Sequence, residues 1–164
     1  IELVSRPGEG TTFRVLVPLA EAAVEEPSPS AVMALPSASA FGDGLTALVA
    51  DDDPLALDAT MALLEDWGFE VVGAASADEA ATATAATRFD LVVCDRHLGN
   101  ANGLDLLVDL AGAGVSRAAI LICGDTGGEL VAAARAAGVP LLAKPVSPMT
   151  LRAMAVARLA AVAG

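Results

Sequence analysis

Three carboxylates and one ammonium group stand directly after short apolar runs in this sequence. Asp51 and Asp52 follow one run, Asp95 follows a second, and Lys144, the only lysine of the chain, follows a third. Carboxylates that share a small volume hold a proton between them or recruit a cation. Mg²⁺ suits such a set because it binds one or two carboxylates together with waters and phosphate oxygens. This set therefore favours attack of a carboxylate on phosphorus, with the ion neutralising the phosphoryl charge.

Each of these residues also has an ordinary structural explanation. Asp51 and Asp52 could be loop acids at the end of a strand, and Lys144 a solvated surface lysine. All four charged residues directly follow apolar runs, and this joint occurrence favours a shared cation-binding site over loop acids and a surface lysine. Asp53 is different because it precedes Pro54, which suits the first position of a helix. The sequence therefore predicts that Asp53 caps this helix instead of binding a metal.

Five short apolar runs alternate with helical stretches and must position these charges. The runs comprise residues 47–50, 71–74, 91–94, 120–123 and 141–143. Helices are predicted from Pro54 to Trp67, from the capping pair Ser76 and Glu79 toward Thr87, over residues 103–110 and 128–137, and from Pro148 to about residue 161. Such alternation predicts an α/β fold with a parallel sheet covered by helices on both faces. In a doubly wound sheet of order 2-1-3-4-5 the first and third strands are neighbours, so their carboxylates meet where this architecture binds ligands.

Composition narrows the possible function classes. The chain has 164 residues and a net charge of −12, which argues against a nucleic-acid surface because that needs clustered Lys and Arg. Cys94 and Cys123 each close an apolar run, which predicts buried thiols in a reducing compartment. Cys94 precedes Asp95 and should face the core, whereas Cys123 could lie in the core or at the edge of the site. No apolar run approaches the roughly 18 residues of a membrane span, and no signal-peptide pattern is present.

The sequence before the alternating region differs in composition. Because the chain begins at Ile1, we expect it to be a piece of a longer protein. Residues 1–19 predict strand, turn and strand, and two strands alone are marginal in water, so this hairpin is expected to be the remnant of a larger sheet. Residues 20–44 are rich in Ala, Pro, Ser and Glu, which predicts a linker. Residues 45–164 form the predicted α/β domain.

Three motifs of this third region together resemble the receiver domain of two-component response regulators. They are LVADDDP at the first strand, DLVVCDRHLGNANG around the third, and LLAKP at the fifth. The resemblance implies a flavodoxin-like (βα)₅ fold, and it implies that Asp95 accepts a phosphoryl group from a phosphohistidine. Lys144 would then pair with the phosphoryl oxygens, and Pro145 would follow it through a cis bond.

The same resemblance implies a Mg²⁺ site around the phosphoacceptor. Asp52 would bind the ion directly and Asp51 directly or through water, while Asp95 and the backbone carbonyl of His97 would complete the protein ligands. Two roles are open for the His97 side chain. One is a phosphoryl donor, which its loop position disfavours, and the other is a group that tunes access of water to the acyl phosphate.

Three positions depart from the family pattern. Cys123 stands where Thr or Ser usually bonds the phosphoryl group, and a thiol is a weaker donor, while the nearby Thr126 lies too far along the chain to replace it. Leu141 stands where a switch aromatic is usual, and Gly99 where proline is common, which predicts a more mobile loop. These departures leave open a second function, a phosphorylation-independent protein-interaction module. A flavodoxin-type cofactor binder on the same fold is disfavoured, since the loop DDDP would repel phosphate without a metal.

A second resemblance concerns residues 1–19. The segment SRPGEGTTFRVLVPL is similar to the final glycine-box hairpin of a histidine-kinase ATPase domain. It implies that the chain is the C-terminal part of a hybrid sensor histidine kinase, although this piece carries no kinase core. The implied partners are a histidine kinase or a histidine phosphotransfer domain as phosphodonor, and a second receiver in a homodimer. We expect no nucleic-acid partner, no membrane contact by this piece, and a cytoplasmic location, with a parent chain that can be membrane-associated.

Overall fold

The computed structural model describes residues 2–6, 8, 10–14, 41–125 and 127–163. The chain separates into two units, Ile1–Ser37 and Ala38–Gly164. In the first, strands β1 (Glu2–Arg6) and β2 (Gly10–Arg14) pair in an antiparallel hairpin, with Glu2 opposite Arg14 and Arg6 opposite Gly10. This confirms the predicted strand, turn and strand. The predicted linker lies outside the described residues as far as position 40, so the boundaries 1–19, 20–44 and 45–164 stay predictions.

The second unit alternates strands and helices along the chain. Its elements are β3 (Thr46–Ala50), α1 (Pro54–Asp66), β4 (Glu70–Ala74), α2 (Ala77–Ala86), β5 (Phe89–Asp95), β6 (His97–Leu98), β7 (Ala101–Asn102), α3 (Gly103–Gly112), β8 (Ser116–Cys123), α4 (Gly128–Ala136), β9 (Leu141–Ala143) and α5 (Pro148–Ala163). Five strands form a parallel sheet of order β4-β3-β5-β8-β9. Counted among these five strands alone, the order is 2-1-3-4-5, which confirms the predicted doubly wound fold.

Helices cover both faces of the sheet. Successive strand side chains point to opposite faces and pack into two separate apolar clusters. One cluster joins Leu48 of β3 and Val92 of β5 to side chains of α2, α3 and α4. The other joins Val49 and Val93 to side chains of α1 and α5. Burial on both faces explains why these strands appear in the sequence as continuous apolar runs instead of alternating ones. Within the described residues, no helix is long and apolar enough to cross a membrane.

Helix starts follow the predicted capping residues, with one difference. Asp53 is the N-cap of α1, and its Oδ1 accepts the N–H of Leu55 at 2.9 Å. Ser76 Oγ accepts the N–H of Glu79 at 3.2 Å, as in a capping box. The Glu79 carboxylate does not return to Ser76, however, and instead accepts the N–H of Ala75 at 2.8 Å.

Strand β8 is longer than its apolar run predicts. It begins at Ser116, four residues before the run at 120–123. Ser116 pairs with Phe89 at the start of β5, so backbone pairing with the neighbouring strand extends β8 through Ser116 and Arg117 as well as two buried alanines. An apolar pattern cannot reveal the start of the strand, because Ser116 and Arg117 are polar and only partly buried or exposed.

An aromatic cluster covers the end of the sheet where β3 and β4 begin. Phe41 lies 5.8 Å from Trp67 and 5.3 Å from Phe69, measured between ring centroids. The N–H of Gly42 donates to the Trp67 carbonyl at 3.0 Å. A Cβ at Gly42 would overlap the Phe69 ring, so this close approach requires glycine. Phe41 and Gly42, which the sequence assigns to the linker, thus pack against the α/β unit.

Candidate functional site

The carboxylates that follow β3 and β5 meet at the carboxyl end of the sheet. One oxygen from each of Asp51, Asp52 and Asp95 lies within 4.8 Å of the others. This proximity follows from the strand order, because β3 and β5 are direct neighbours in the sheet. Asp51 and Asp95 are only 5% and 7% exposed, whereas Asp52 is exposed. The sequence prediction that these three side chains converge is therefore confirmed as geometry.

Lys144 enters the same cluster from the edge strand β9. Its Nζ lies 2.5 Å from Asp95 Oδ1 and 3.2 Å from Asp51 Oδ2. Its backbone N–H donates to the Cys123 carbonyl at 2.7 Å, which fixes the start of the side chain beside β8. Burial alone would lower the pKa of Lys144, but its hydrogen bonds to Asp95 and Asp51 and their charges more than offset this, so the pKa is raised. Lys144 is thus a charged bridge between two buried carboxylates, and it is not a free surface lysine.

Each carboxylate also accepts a hydrogen bond from a backbone N–H. Asp53 donates to Asp51 Oδ1 at 3.0 Å, and His97 donates to Asp95 Oδ2 at 2.7 Å. Gly99 donates to Asp52 Oδ2 at 2.9 Å. These hydrogen bonds to charged oxygens hold the orientation of each carboxylate.

A short hairpin that the sequence analysis does not predict supplies two of these donors. Strands β6 and β7 pair His97 with Asn102 and Leu98 with Ala101, which leaves a two-residue turn. Gly99 begins this turn with φ at +62°, a conformation that favours glycine. The loop that is expected to be more mobile thus contains a hydrogen-bonded hairpin, and its mobility stays a prediction. The Gly-Asn pair at its turn is the sequence signal that could have identified it.

Glycine is also required where the hairpin leads into α3. A Cβ at Gly103 would overlap the carbonyl oxygen of Asp95 and approach Cys94 Sγ. The N–H of Gly103 donates to the Arg96 carbonyl at 2.9 Å, which closes the loop after β5. The absence of a side chain at Gly103 therefore lets the start of α3 lie directly against the backbone of Asp95.

The two cysteines are both buried and unpaired, as predicted. Cys94 is fully buried, and its thiol donates to the Asp95 carbonyl at 3.2 Å. Burial, together with the charges of Asp95 and Asp51, raises the pKa of Cys94 to about 12. Burial also raises the pKa of Cys123, and the nearby charges of Asp95 and Asp125 act in the same direction. Cys123 therefore lies close to the acidic cluster, while its predicted contact with a phosphoryl group stays a prediction.

The structure also shows where most of the other residues named from the family pattern lie. The bond between Lys144 and Pro145 is cis, as the family resemblance implies. The side chain of His97 is exposed in β6. Leu141 is partly buried and packs against the cluster that contains Leu48, so β9 presents an aliphatic side chain where the family usually has an aromatic one. Thr126 lies outside the described residues.

The donor set fits a hard divalent cation. Three carboxylates supply oxygen ligands within 4.8 Å of one another, and among the described residues a single ammonium group, that of Lys144, pairs with them. Oxygen donors at this density suit Mg²⁺, which takes a few carboxylates and completes its shell with waters or phosphate oxygens. Within the part of the chain that the structure describes, Asp52 uses Oδ2 for its one hydrogen bond, and Oδ1 has no hydrogen-bond partner.

Comparisons with known proteins agree with this geometry. A family model described as the response regulator receiver domain matches residues 47–156. The chain is 35% identical over 113 residues to the alginate biosynthesis transcriptional regulatory protein AlgB of Pseudomonas aeruginosa, covering 68% of this chain and 25% of that protein. It is 33% identical over 109 residues to the two-component response regulator PprB of the same species, covering 63% of this chain and 40% of that protein. The chain therefore spans from a quarter to two fifths of the length of these curated relatives.

Solved structures give the same result for the fold. The crystal structure of a CheY-like response regulator receiver domain protein from Methanospirillum hungatei matches with a TM-score of 0.67 at 29% identity. The match covers 73% of this chain and 96% of that one.

Proposed function

The chain belongs to the response regulator receiver family, and from this premise we propose that Asp95 accepts a phosphoryl group from a phosphohistidine in a Mg²⁺-dependent reaction. One observation carries the proposal, namely the convergence of Asp51, Asp52 and Asp95 with Lys144 at the carboxyl end of the sheet. A carboxylate that is buried, oriented by a backbone N–H and paired with an ammonium group is a suitable nucleophile toward phosphorus.

In the proposed reaction, a carboxylate oxygen of Asp95 attacks phosphorus. The bond between phosphorus and the donor imidazole nitrogen breaks, and its electron pair stays on that nitrogen. Lys144 already contacts Asp95 and can turn its ammonium group to the phosphoryl oxygens, while the N–H of His97 holds the attacking carboxylate. Mg²⁺, when held by Asp51, Asp52, Asp95 and the His97 backbone carbonyl, would neutralise charge on the transferring group. The acyl phosphate would later be lost by slow attack of water.

A groove beside the cluster supports a helical phosphodonor. It has a volume of about 550 Å³ and adjoins Asp51 and Lys144. Its walls are mostly apolar and come from α1, the end of β8 and the segment after Lys144: Ala56, Ala59, Thr60, Leu63, Ile122, Pro145 and Val146. Small side chains on α1 leave room for an amphipathic helix. We therefore propose that the helix bearing the donor histidine, from a histidine kinase or a histidine phosphotransfer domain, packs here.

Incubation with a small phosphodonor tests the reaction itself. We expect the intact mass of the chain to increase by one phosphoryl group when acetyl phosphate and Mg²⁺ are present, and to stay unchanged with EDTA. Asp95→Asn should prevent the increase because it removes the attacking carboxylate. A gain that survives Asp95→Asn, or no gain by the unmodified chain, would overturn the proposal.

A matched pair of substitutions on α1 tests the donor surface. Ala59→Arg places a long charged side chain in the groove, whereas Ala62→Arg makes the same change at an exposed position of α1 outside it. We expect Ala59→Arg to slow transfer from a phosphorylated donor domain and to leave labelling by acetyl phosphate unchanged. Equal transfer to both variants would exclude the groove as the donor surface.

A phosphorylation-independent interaction module is the second candidate, and the residues at two strand ends favour it. Cys123 is 1% exposed and supplies a weak donor in place of a hydroxyl group, and Leu141 packs against the core. In the family pattern a hydroxyl group at the first position bonds the phosphoryl group, and an aromatic side chain at the second responds to it. The residues present here weaken this coupling between phosphorylation and the surface of the fifth strand. Backbone amide NMR with and without beryllofluoride separates the candidates. Shifts confined to residues around Asp95 would favour the second one, and shifts that reach α4, β9 and α5 would favour a working switch.

We also propose that the parent chain is a hybrid sensor histidine kinase. The support is the hairpin of β1 and β2 together with its resemblance to the end of a kinase ATPase domain. Sequencing the gene upstream of the codon for Ile1 tests this. A complete kinase core in the same reading frame is the expected result, and a reading frame without one would contradict it.

A further inference from the structure

The acidic cluster consists of Asp51, Asp52 and Asp95. Five of its six carboxylate oxygens have a hydrogen-bond or ion-pair partner, and the contact to Asp52 differs from the others. Asp51 and Asp95 each use one oxygen for a backbone N–H and one for Lys144. Asp52 has no ammonium partner within the described residues, and its single contact is the N–H of Gly99 on Oδ2 at 2.9 Å. The orientation of the one exposed carboxylate therefore depends on a residue that lies 47 positions further along the chain.

The backbone conformation of Gly99 makes this contact possible. Gly99 has φ at +62° at the start of the turn between β6 and β7, and a side chain there would meet no atom within 4 Å. Steric crowding is therefore not the reason for glycine at this position. The reason is the left-handed backbone, which points the N–H of the turn at Asp52 and which most L residues disfavour.

The hairpin of β6 and β7 also links the ends of β3 and β5, because it donates hydrogen bonds to one carboxylate at each of them. Its first residue, His97, donates to Asp95 Oδ2, and its turn residue, Gly99, donates to Asp52 Oδ2. One short hairpin thus holds Asp95 of β5 and the acid Asp52 after β3 in a defined relative position. Fixed carboxylates lose less conformational freedom when they bind an ion, and the partners that orient metal ligands commonly contribute ten- to a hundredfold to metal affinity.

We propose that Gly99 is a positioning residue for the cation site, and that its backbone N–H holds Asp52 so that Oδ1 is ready to coordinate Mg²⁺. The inference rests on the proposed function, because it assigns Asp52 as a ligand of the ion used in phosphoryl transfer. The property of Gly99 that matters is its N–H in a left-handed backbone, and no side-chain contact is involved.

Calorimetric titration of the whole chain with MgCl₂ tests the proposal. In this chain Gly99→Pro removes the N–H and also excludes the left-handed turn that aims it at Asp52, so we expect the Mg²⁺ dissociation constant to rise by roughly tenfold or more. Gly99→Asn keeps the N–H and is the L residue that best tolerates a left-handed backbone, so it should stay within about threefold of the original chain. Gly114→Pro is the control for loss of a left-handed glycine elsewhere, since Gly114 has φ at +65° and also meets no atom within 4 Å. It should lower stability without changing Mg²⁺ affinity.

Hydrogen exchange on the metal-free chain gives a second measurement that does not need the proline variant to fold. Gly99 is exposed, so its amide should exchange slowly only because Asp52 accepts its proton. We expect Asp52→Ala to accelerate exchange at Gly99 by at least tenfold and to leave the amide of His97, which donates to Asp95, protected. Equal exchange at Gly99 in both chains would overturn the proposal.

The outcomes separate this inference from the proposed function. If the unmodified chain gains a phosphoryl group and binds Mg²⁺, but Gly99→Pro binds Mg²⁺ equally well, the inference is wrong and the proposed function stands. If the unmodified chain neither binds Mg²⁺ nor gains a phosphoryl group, both are wrong.

Discussion

The two ends of the parallel sheet carry opposite kinds of residue. At the carboxyl end, Asp51 and Asp95 are almost fully buried around Lys144. At the amino end, Phe41 and Trp67 belong to an aromatic cluster, and the Arg152 guanidinium lies 5.4 Å from the centre of the Phe41 ring. Burying charge costs free energy unless it is paired and hydrogen-bonded, whereas burying aromatic surface is favourable.

This difference suggests that one end of the sheet provides stability and the other provides chemistry. Three acids within 4.8 Å of one another repel when no cation is bound, so the carboxyl end is expected to reduce stability in the absence of metal. The amino end can offset this cost because its aromatic contacts lie at the opposite end of the sheet from Asp95. Four substitutions or conditions test the separation, and they follow in order of decreasing effect.

The largest effect is expected at the amino end. Trp67→Ala should lower the free energy of unfolding by about 3–5 kcal/mol, because it removes a large buried side chain from the core. Leu55→Ala on the neighbouring helix α1 is the control, since Leu55 is 80% exposed and should change stability by less than about 0.5 kcal/mol. Denaturant unfolding measures both. The folded fraction of Trp67→Ala should still accept a phosphoryl group, and loss of that reaction in folded protein would contradict the separation of roles.

Gly42→Ala should destabilise the same end through overpacking. The added Cβ would overlap the Phe69 ring, which we expect to cost about 1–3 kcal/mol of unfolding free energy. Gly112→Ala is the matched control, because Gly112 is the last residue of α3 and a Cβ there would meet no atom within 4 Å. Alanine should stabilise that position by up to about 1 kcal/mol. If Gly42→Ala were as stable as the original chain or more stable, close packing of Gly42 against Phe69 would be contradicted.

The buried Cys94 thiol next to Asp95 should lower the stability of the fold as the pH rises into the alkaline range. An unfolded Cys94 thiol loses its proton near a pKa of 9.0, whereas the folded thiol keeps it to a pKa of about 12. The folded state then binds more protons between these values, so stability falls as pH rises. The expected loss is about 1.4 kcal/mol near pH 10.

Cys94→Ala should reduce this slope, and urea unfolding of both chains from about pH 8 to pH 10 measures it. Lys144 does not interfere in this range. Its pKa is raised above the ordinary 10.5, so its contribution to stability is lost only at still higher pH. Identical slopes for the two chains would exclude Cys94 as the titrating group.

The smallest effect is expected at the carboxyl end. Asp52→Asn removes one of three neighbouring negative charges, so without metal it should raise the free energy of unfolding by up to about 1 kcal/mol. The same substitution should abolish the stabilisation that we expect Mg²⁺ to give to the unmodified chain. Thermal unfolding in EDTA and in MgCl₂ measures both effects. A variant that is less stable than the original chain in EDTA would contradict the view that this end carries a cost in stability.

The sequence predicts those features that depend on neighbours along the chain. Pro54 after Asp53 predicts the helix cap, and alternation along β5 predicts that Cys94 faces the core beside Asp95. Apolar runs predict the five strands of the sheet, although the start of β8 depends on pairing of Ser116 with Phe89 and is missed. The doubly wound architecture adds the strand order, and that order brings the carboxylates together.

Contacts that join distant segments through single residues in turns are not predicted from the sequence. The amino-end cluster brings Phe41, from the predicted linker, to Trp67 and Phe69. The bond from Gly99 to Asp52 joins residues 47 positions apart. Neither contact leaves a periodic signal, because each involves single residues in turns.

The sequence by itself determines which chemical groups stand at the ends of the strands: three acids after two strands and one lysine after the last. Local rules suffice for this, since apolar runs and capping residues define where strands end and helices begin. Only the tertiary structure decides which backbone N–H holds each carboxylate, and that Lys144 bridges Asp51 and Asp95. These contacts depend on sheet register and on the left-handed turn at Gly99, and a shift of an ångström in either would break a hydrogen bond.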